Sequence, residues 1–160
     1  MAKLMKTPWM AWLGYAGLLP FLGLAALTGI YEGTEQAREF AQYNLIYGIC
    51  IVSFLGAVHW GLAIALNSNE SPSYLAGLSQ AEFETRSFVW GVTPSLLAWL
   101  AGAFTPLAIT LWLLPCMLIL VWFVDRRFLE PMKAFSAYLR LRNHLTVGAV
   151  LGLGVTACFV

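Results

Sequence analysis

The sequence predicts an all-α integral membrane protein, one bundle of five transmembrane helices over residues 1–160, and three observations carry that reading. Hydrophobic residues make up 60% of the 160 positions. Charged residues make up only 11%, against roughly 25% in soluble domains. The apolar residues also gather into five runs, each long enough to cross or nearly cross a hydrocarbon layer of about 30 Å at about 1.5 Å per residue. No soluble block between the runs is long enough for a separate catalytic domain, so a single domain is expected.

The first span is expected at about 9–30. It continues without a small-residue cleavage site and reads as a retained anchor. The second is placed at 44–66, the third at 88–104, the fourth at 107–124 and the fifth, the shortest, at 145–160. Only Thr105 and Pro106 separate the third from the fourth. Pro20, Pro94 and Pro115 lie inside apolar runs; each removes a backbone donor and frees a carbonyl that lipid cannot satisfy, so neighbouring helices must cover the break.

Orientation follows from the cations. An N-terminus in the cytoplasm places Lys3, Lys6, Arg86, Arg126, Arg127, Lys133, Arg140 and Arg142 on that side and leaves only Arg38 opposite, eight against one. That is the positive-inside asymmetry. The expected location is a bacterial inner (cytoplasmic) membrane, or the mitochondrial inner membrane in a eukaryote.

The two basic connections carry helix signals of their own. Ser79 with Glu82 three residues on is a capping box, so a helix is expected to start there and run into the third span. Pro131 suits a first helical position, and Met132, Phe135 and Leu139 recur at 3 and 4 spacing opposite Lys133, Arg140 and Arg142. A short amphipathic helix in the headgroup layer, feeding the fifth span, is the expectation.

Within SFLGAVHWGLA (53–63) an ionisable ring sits in an apolar span. On a helix of 100° per residue, Gly48, Val52, Gly56, His59 and Ala63 fall within an arc of about 80°. Small faces are where membrane helices approach one another, so His59 is expected to point into the bundle. Glu84, Arg86, Asp125, Arg126, Arg140, Arg142 and His144 lie toward the same boundary, and Asp125 can accept from His59 or pair with Arg140 or Arg142. The residue types leave several roles open for His59: a neutral ring that fixes helix register, a contact to a quinone, lipid headgroup or tetrapyrrole, a proton relay, or axial haem ligation with His144.

Trp9, Trp12 and Trp122 lie near span ends, where an aromatic belt is expected. Trp60, Trp90, Trp99 and Trp112 sit deeper along the spans and are expected to pack inside the bundle. Gly148 and Gly152 form a GxxxG, a signal for close helix packing. Cys50, Cys116 and Cys158 all lie in apolar runs without CxxC spacing, so neither a disulfide nor a metal site is expected. HExxH, GxxxxGK[ST] and GxSxG are absent, and no lysine lies inside a span. The usual metal, phosphate, nucleophile and Schiff-base constellations are therefore missing.

LGYAGLLPF (13–21), SFLGAVHWGLA (53–63), TPSLLAWLA (93–101), Asp125 and LRNHLT (141–146) together resemble a family of small bacterial and mitochondrial membrane proteins of unknown function that includes the animal transmembrane protein 69. The resemblance spans nearly the whole chain. It implies a five-helix inner-membrane protein and supplies no reaction and no catalytic residues. Five tryptophan-rich spans are also similar in size and composition to the tryptophan-rich sensory proteins, without their motifs.

The expected function is that of a non-enzymatic membrane protein, an accessory subunit or assembly factor of a larger membrane complex, with lipids and other membrane subunits as partners and no nucleic acid. The alternative is a binder of a small hydrophobic ligand (quinone, lipid or tetrapyrrole) at a site built from His59, Trp60, Trp90, Pro94, Asp125 and Arg142. A proton-coupled transporter or intramembrane enzyme is the third class. No catalytic residue, metal or obligatory cofactor is expected.

Overall fold

A computed structural model describes residues 8–67, 79–130 and 135–160, all of them helical apart from short connections. Six helices follow in order: α1 (Pro8–Ala16), α2 (Leu19–Ile30), α3 (Glu35–Asn67), α4 (Gln80–Phe104), α5 (Leu107–Leu129) and α6 (Ser136–Cys158). Four stretches, Trp9–Ile30, Glu35–Ala65, Gln80–Phe104 and Leu107–Leu129, are long and apolar enough to cross a membrane. With α6 packed across α2 and α5, the protein is an all-α membrane bundle.

Pro20 divides the first span. Its ring excludes the carbonyl four residues back, that of Ala16, and it has no N–H to offer. Ala16 is where α1 ends, and Pro20 then sits in the first turn of α2, where a missing donor costs nothing. A neighbour covers the break as membrane burial requires: the Tyr47 hydroxyl of α3 donates to the Gly17 carbonyl at 2.9 Å. Pro94 and Pro115, by contrast, are accommodated inside unbroken helices.

α3 begins nine residues before the 44–66 run read from hydropathy. The cause is local chemistry: Gly33 takes a positive φ of 78° to turn the chain, and the Ala37 N–H donates to the Thr34 hydroxyl. Glu35 then lies in the first turn, favourable for the helix dipole. At 33 residues α3 is about 50 Å long, more than the ~30 Å hydrocarbon layer, so it projects beyond that layer or tilts.

The capping box at α4 forms as expected. The Glu82 N–H donates to Ser79 Oγ at 3.3 Å and the Ser79 N–H donates to Glu82 Oε2 at 3.0 Å. Thr105 and Pro106 make the turn into α5, with the Thr105 hydroxyl donating to the Ala101 carbonyl at 2.7 Å. The segment 136–142 and the last span form one continuous helix, α6. Phe135 and Leu139 pack with Leu62, Phe83 and Leu129; Pro131, Met132 and Lys133 lie outside the described residues.

Every helix after α1 buries one stripe. On α5, Leu111, Leu114, Leu118, Val121, Asp125 and Leu129 recur at 3 and 4 spacing and are all buried. In lipid the hydrophobic effect does little to drive helices together, so close packing and hydrogen bonds must. The glycines supply the packing. Gly56 of α3 lies against the Gly91 carbonyl of α4, and the Trp60 indole folds over Gly91, so a Cβ at either glycine would collide. Gly148 and Gly152 of the GxxxG face Leu18, which precedes α2, and Phe21 within it.

The deeper tryptophans correct one expectation. Trp99 and Trp112 face outward with 57% and 54% exposure, and Trp60 is 42% exposed. Depth along a span says nothing about which face a residue occupies, and these positions lie off the buried stripes. Trp60 still satisfies its ring N–H, which donates to the Phe88 carbonyl at 2.9 Å. Cys50, Cys116 and Cys158 also face outward and are unpaired.

Candidate functional site

His59, Asp125 and Arg142 each fall on the core stripe of their own helix, so closing the bundle brings them together. His59 Nε2 lies 2.8 Å from Asp125 Oδ1, and Arg142 Nε donates to Asp125 Oδ2 at 3.0 Å. Their side chains are 1%, 2% and 4% exposed. The carboxylate thereby joins α3, α5 and α6 through one oxygen to each neighbour. The Phe128 ring stands edge-on against the imidazole at 5.5 Å, and Phe83 packs behind it.

Such a trio is costly to bury and costly to break. Each ion gives up several kcal/mol of hydration, which a well-formed pair offsets; removing one partner leaves the other uncompensated and costs about 3–5 kcal/mol. With a neutral imidazole the charges of Asp125 and Arg142 cancel. The trio is then electrically balanced inside a low-dielectric bundle.

Of the remaining polar residues near this boundary, none joins the trio. Arg126 lies on the surface beside Glu130 at 3.5 Å and against the Trp122 ring. The His144 ring meets the Tyr15 hydroxyl of α1 at 2.9 Å through Nδ1. Glu84 accepts from Gln80, and Arg86 and Arg140 are exposed. Trp90 packs on the main core and Pro94 is buried within α4, whereas Trp60 turns to Phe88. The structure therefore unites three of the six residues named from sequence and places Trp60, Trp90 and Pro94 elsewhere on the α3–α4 side.

Beside the trio runs a groove of about 440 Å³ between the N-terminal helices, α3 and α6, with Leu118 of α5 contributing to its lining. Its walls follow helical periodicity: Ile51, Phe54, Leu55 and Val58 on α3 face Tyr138, Leu141, Arg142, Leu145 and Ala149 on α6. Met10, Leu13, Gly14, Gly17 and Leu18 line the third side. Leu13 and Phe54 in its lining are 71% and 69% exposed. Among all its lining residues the functional polar groups are those of Arg142 and Tyr138.

Arg142 Nη2 and the Tyr138 hydroxyl are buried and have no hydrogen-bond partner among the described residues; the same holds for His59 Nδ1. Tyr138 lies in the first turn of α6, ahead of the 145–160 segment. Burial, and then the Asp125 carboxylate, push its phenol up to about 12, so it stays a donor. Arg142 is thus fixed through Nε on Asp125. Tyr138 escapes notice in the sequence because it reads as part of an amphipathic connection, and only its i, i+4 spacing to Arg142 hints at a shared face.

A second buried joint lies toward the other end of α3 from His59. Asn44 Nδ2 donates to the Thr156 hydroxyl at 2.7 Å and to the Phe21 carbonyl at 3.2 Å, linking α3, α6 and α2. Nothing in the sequence marks this pair beyond the presence of an amide in an apolar run. Asn44 Oδ1 is buried without a hydrogen-bond partner among the described residues.

A family model described as "Protein of unknown function (DUF3429)" matches residues 6–158. "Transmembrane protein 69" of Xenopus tropicalis is 37% identical over 93 residues, covering 58% of this chain and 32% of that protein. The chain thus spans about a third of the length of this relative. No solved structure matches.

Proposed function

Because the chain belongs to the DUF3429 family of multi-pass membrane proteins, for which no reaction sets an expectation, we propose from its own geometry that it binds a small hydrophobic molecule in the groove beside Arg142. The observation that carries this reading is a groove of about 440 Å³ whose walls are apolar apart from Arg142 and Tyr138 in its lining. Small-molecule sites combine predominantly apolar linings with a few placed polar groups, in volumes of about 300–1,000 Å³.

The trio supports the groove by holding Arg142 in place. We read the protein as non-enzymatic: the groove holds no nucleophile–base pair, and His59 is turned to Asp125, away from the groove lining. A bacterial inner or mitochondrial inner membrane is the setting we infer for it. An accessory or assembly role within a larger complex is compatible with carrying such a molecule.

The test is a native mass spectrum of the protein taken from its own membranes in mild detergent, beside a Val58→Trp variant whose indole fills the groove. A retained adduct of one defined mass in the wild type, absent from a folded variant, is the expected result. The bare 17.7 kDa chain in both, or the same adduct in both, overturns the reading. Co-purifying chains in the same spectrum test the accessory role.

A further inference from the structure

We propose that α1 is a movable wall of the groove, hinged at Gly17 and held shut against α6 by the Tyr15–His144 hydrogen bond. This rests on the groove being a ligand site, and it assigns how the occupant enters: α1 swings away from α6 into the lipid phase and returns.

The hinge comes from the backbone. Pro20 has no N–H for the Ala16 carbonyl, so a rung that would couple α1 to α2 is missing. A tight turn takes its place, the Gly17 N–H donating to the Leu13 carbonyl at 3.0 Å and the Leu18 N–H to the Tyr15 carbonyl at 3.0 Å. Hinges are short segments at element ends of this kind. The pivot itself is anchored. Tyr47 of α3 donates to the Gly17 carbonyl at 2.9 Å, and Leu18 packs on the main core and against Gly148 of α6. Motion is thereby confined to the residues before Gly17.

Little holds those residues. From Trp9 to Ala16 none is buried, and Trp9, Trp12 and Leu13 are 71%, 73% and 71% exposed. Beyond the turn, by contrast, α2 buries Phe21, Ala25 and Thr28. The principal neighbour of α1 is α6, met along one ridge. Gly14 lies against Leu141 and Leu145, and the Tyr15 hydroxyl meets His144 Nδ1 at 2.9 Å with the two rings stacked at 6.4 Å. Among the described residues no other side-chain hydrogen bond ties α1 to the bundle. Lipid accepts apolar surface as readily as a neighbouring helix does, so leaving the ridge gives up the Gly14 packing and this one bond.

The same ridge walls the groove. Met10, Leu13 and Gly14 of α1 line it together with Val58 of α3 and with Leu141 and Leu145 of α6. Lifting Gly14 off Leu141 and Leu145 therefore uncovers the groove to lipid, and restoring the Tyr15–His144 bond closes it.

The experiment uses the full chain in lipid nanodiscs with the unpaired Cys50, Cys116 and Cys158 replaced by alanine. Spin labels at Trp9→Cys on α1 and Phe123→Cys on α5, both outward-facing positions, report the distance between the two helices by pulsed electron paramagnetic resonance. A main distance with a minor displaced population is expected. Tyr15→Phe should raise the ratio of displaced to docked α1 by roughly two- to tenfold, the effect of one lost hydrogen bond, and adding His144→Leu should raise it no further, since both changes remove the same bond. An occupant that enters only past a displaced α1 enters in proportion to that population. A ten-carbon alcohol carrying a diazirine in its tail, flashed at increasing times after mixing with unlabelled protein, should therefore mark Leu145 faster by the same factor in Tyr15→Phe. Circular dichroism and size-exclusion profiles like the wild type show that the variants fold. Distances unchanged by Tyr15→Phe, or equal broadening between labels at Phe123→Cys and Leu151→Cys on α5 and α6, overturn the latch. Leu145 marked at the same rate in both proteins overturns the gate and leaves the groove as a ligand site, and Leu145 marked in neither overturns the groove reading and the gate with it.

Discussion

Replacing Asp125 by leucine removes the acceptor for both His59 and Arg142. Arg142 is 4% exposed on its side chain and cannot deprotonate, so it is left as a buried, uncompensated cation, and the expected loss is about 3–5 kcal/mol. Arg142→Met leaves the carboxylate with only the imidazole and falls in the same range. Added together, the singles predict about 6–10 kcal/mol for the pair of changes. The double variant Asp125→Leu, Arg142→Met removes both charges at once, and replacing a buried pair by apolar groups is often neutral or even stabilising. It should therefore be far more stable than the sum, with a coupling of at least ~3 kcal/mol. The assay is reversible unfolding in mixed detergent micelles, followed by circular dichroism and tryptophan fluorescence on all four proteins. A double variant destabilised by the sum of the singles within about 0.5 kcal/mol, the additivity expected of independent sites, would refute the buried pair.

Other expectations follow from the same packing. Asn44→Ala removes two interhelical hydrogen bonds and should cost only about 0.6–1.7 kcal/mol in the same assay, since such bonds are weak inside membranes; a loss equal to that of Asp125→Leu would show the Asn44 joint to be undervalued. Gly56→Ala drives a methyl group into the Gly91 backbone and should cost more than Gly91→Ala, which meets the movable Trp60 ring. The reverse order, read from unfolding midpoints, would contradict the close approach of α3 and α4. Glu82 is held below its ordinary 4.5 by the Ser79 backbone N–H and then the Ser79 hydroxyl. Because the folded form prefers the carboxylate, this contribution is complete above pH 4.5 and is lost as pH falls through the lowered value. Amide exchange in the first turn of α4 should quicken in that range and do so less in Glu82→Gln.

Much of this architecture is legible in the residues because local rules decide it. Ser79 and Glu82 start α4, and Thr105 with Pro106 separates α4 from α5; Pro20, Pro94 and Pro115 read alike in the residues, and only Pro20 breaks its helix. The trio is legible only as a set of options: His59, Asp125, Arg140 and Arg142 read toward one boundary, and the rotation of α6 decides that Arg142 meets Asp125 while Arg140 is exposed. What escapes is whatever depends on how helices rotate and where they break. Hydropathy begins the second span at Asn44, yet Gly33 and Thr34 start α3 at Glu35. Trp99 and Trp112 look deep along the chain and prove to face outward. The groove needs the Gly17–Leu18 break, one face of α3 and one face of α6 in register, and no single segment contains that information. Tyr138 becomes meaningful only beside Arg142.

The most direct test of a ligand groove is to find where a bound amphiphile touches the chain. A ten-carbon-tailed amphiphile carrying a diazirine in its tail, photolysed on the protein in lipid nanodiscs and mapped by peptide mass spectrometry, should label Leu13, Phe54 and Leu145, and lose that labelling in Val58→Trp. Labelling spread over outward-facing positions such as Trp112, Phe123 and Leu151, unchanged by the variant, would show only bulk lipid contact and contradict the account.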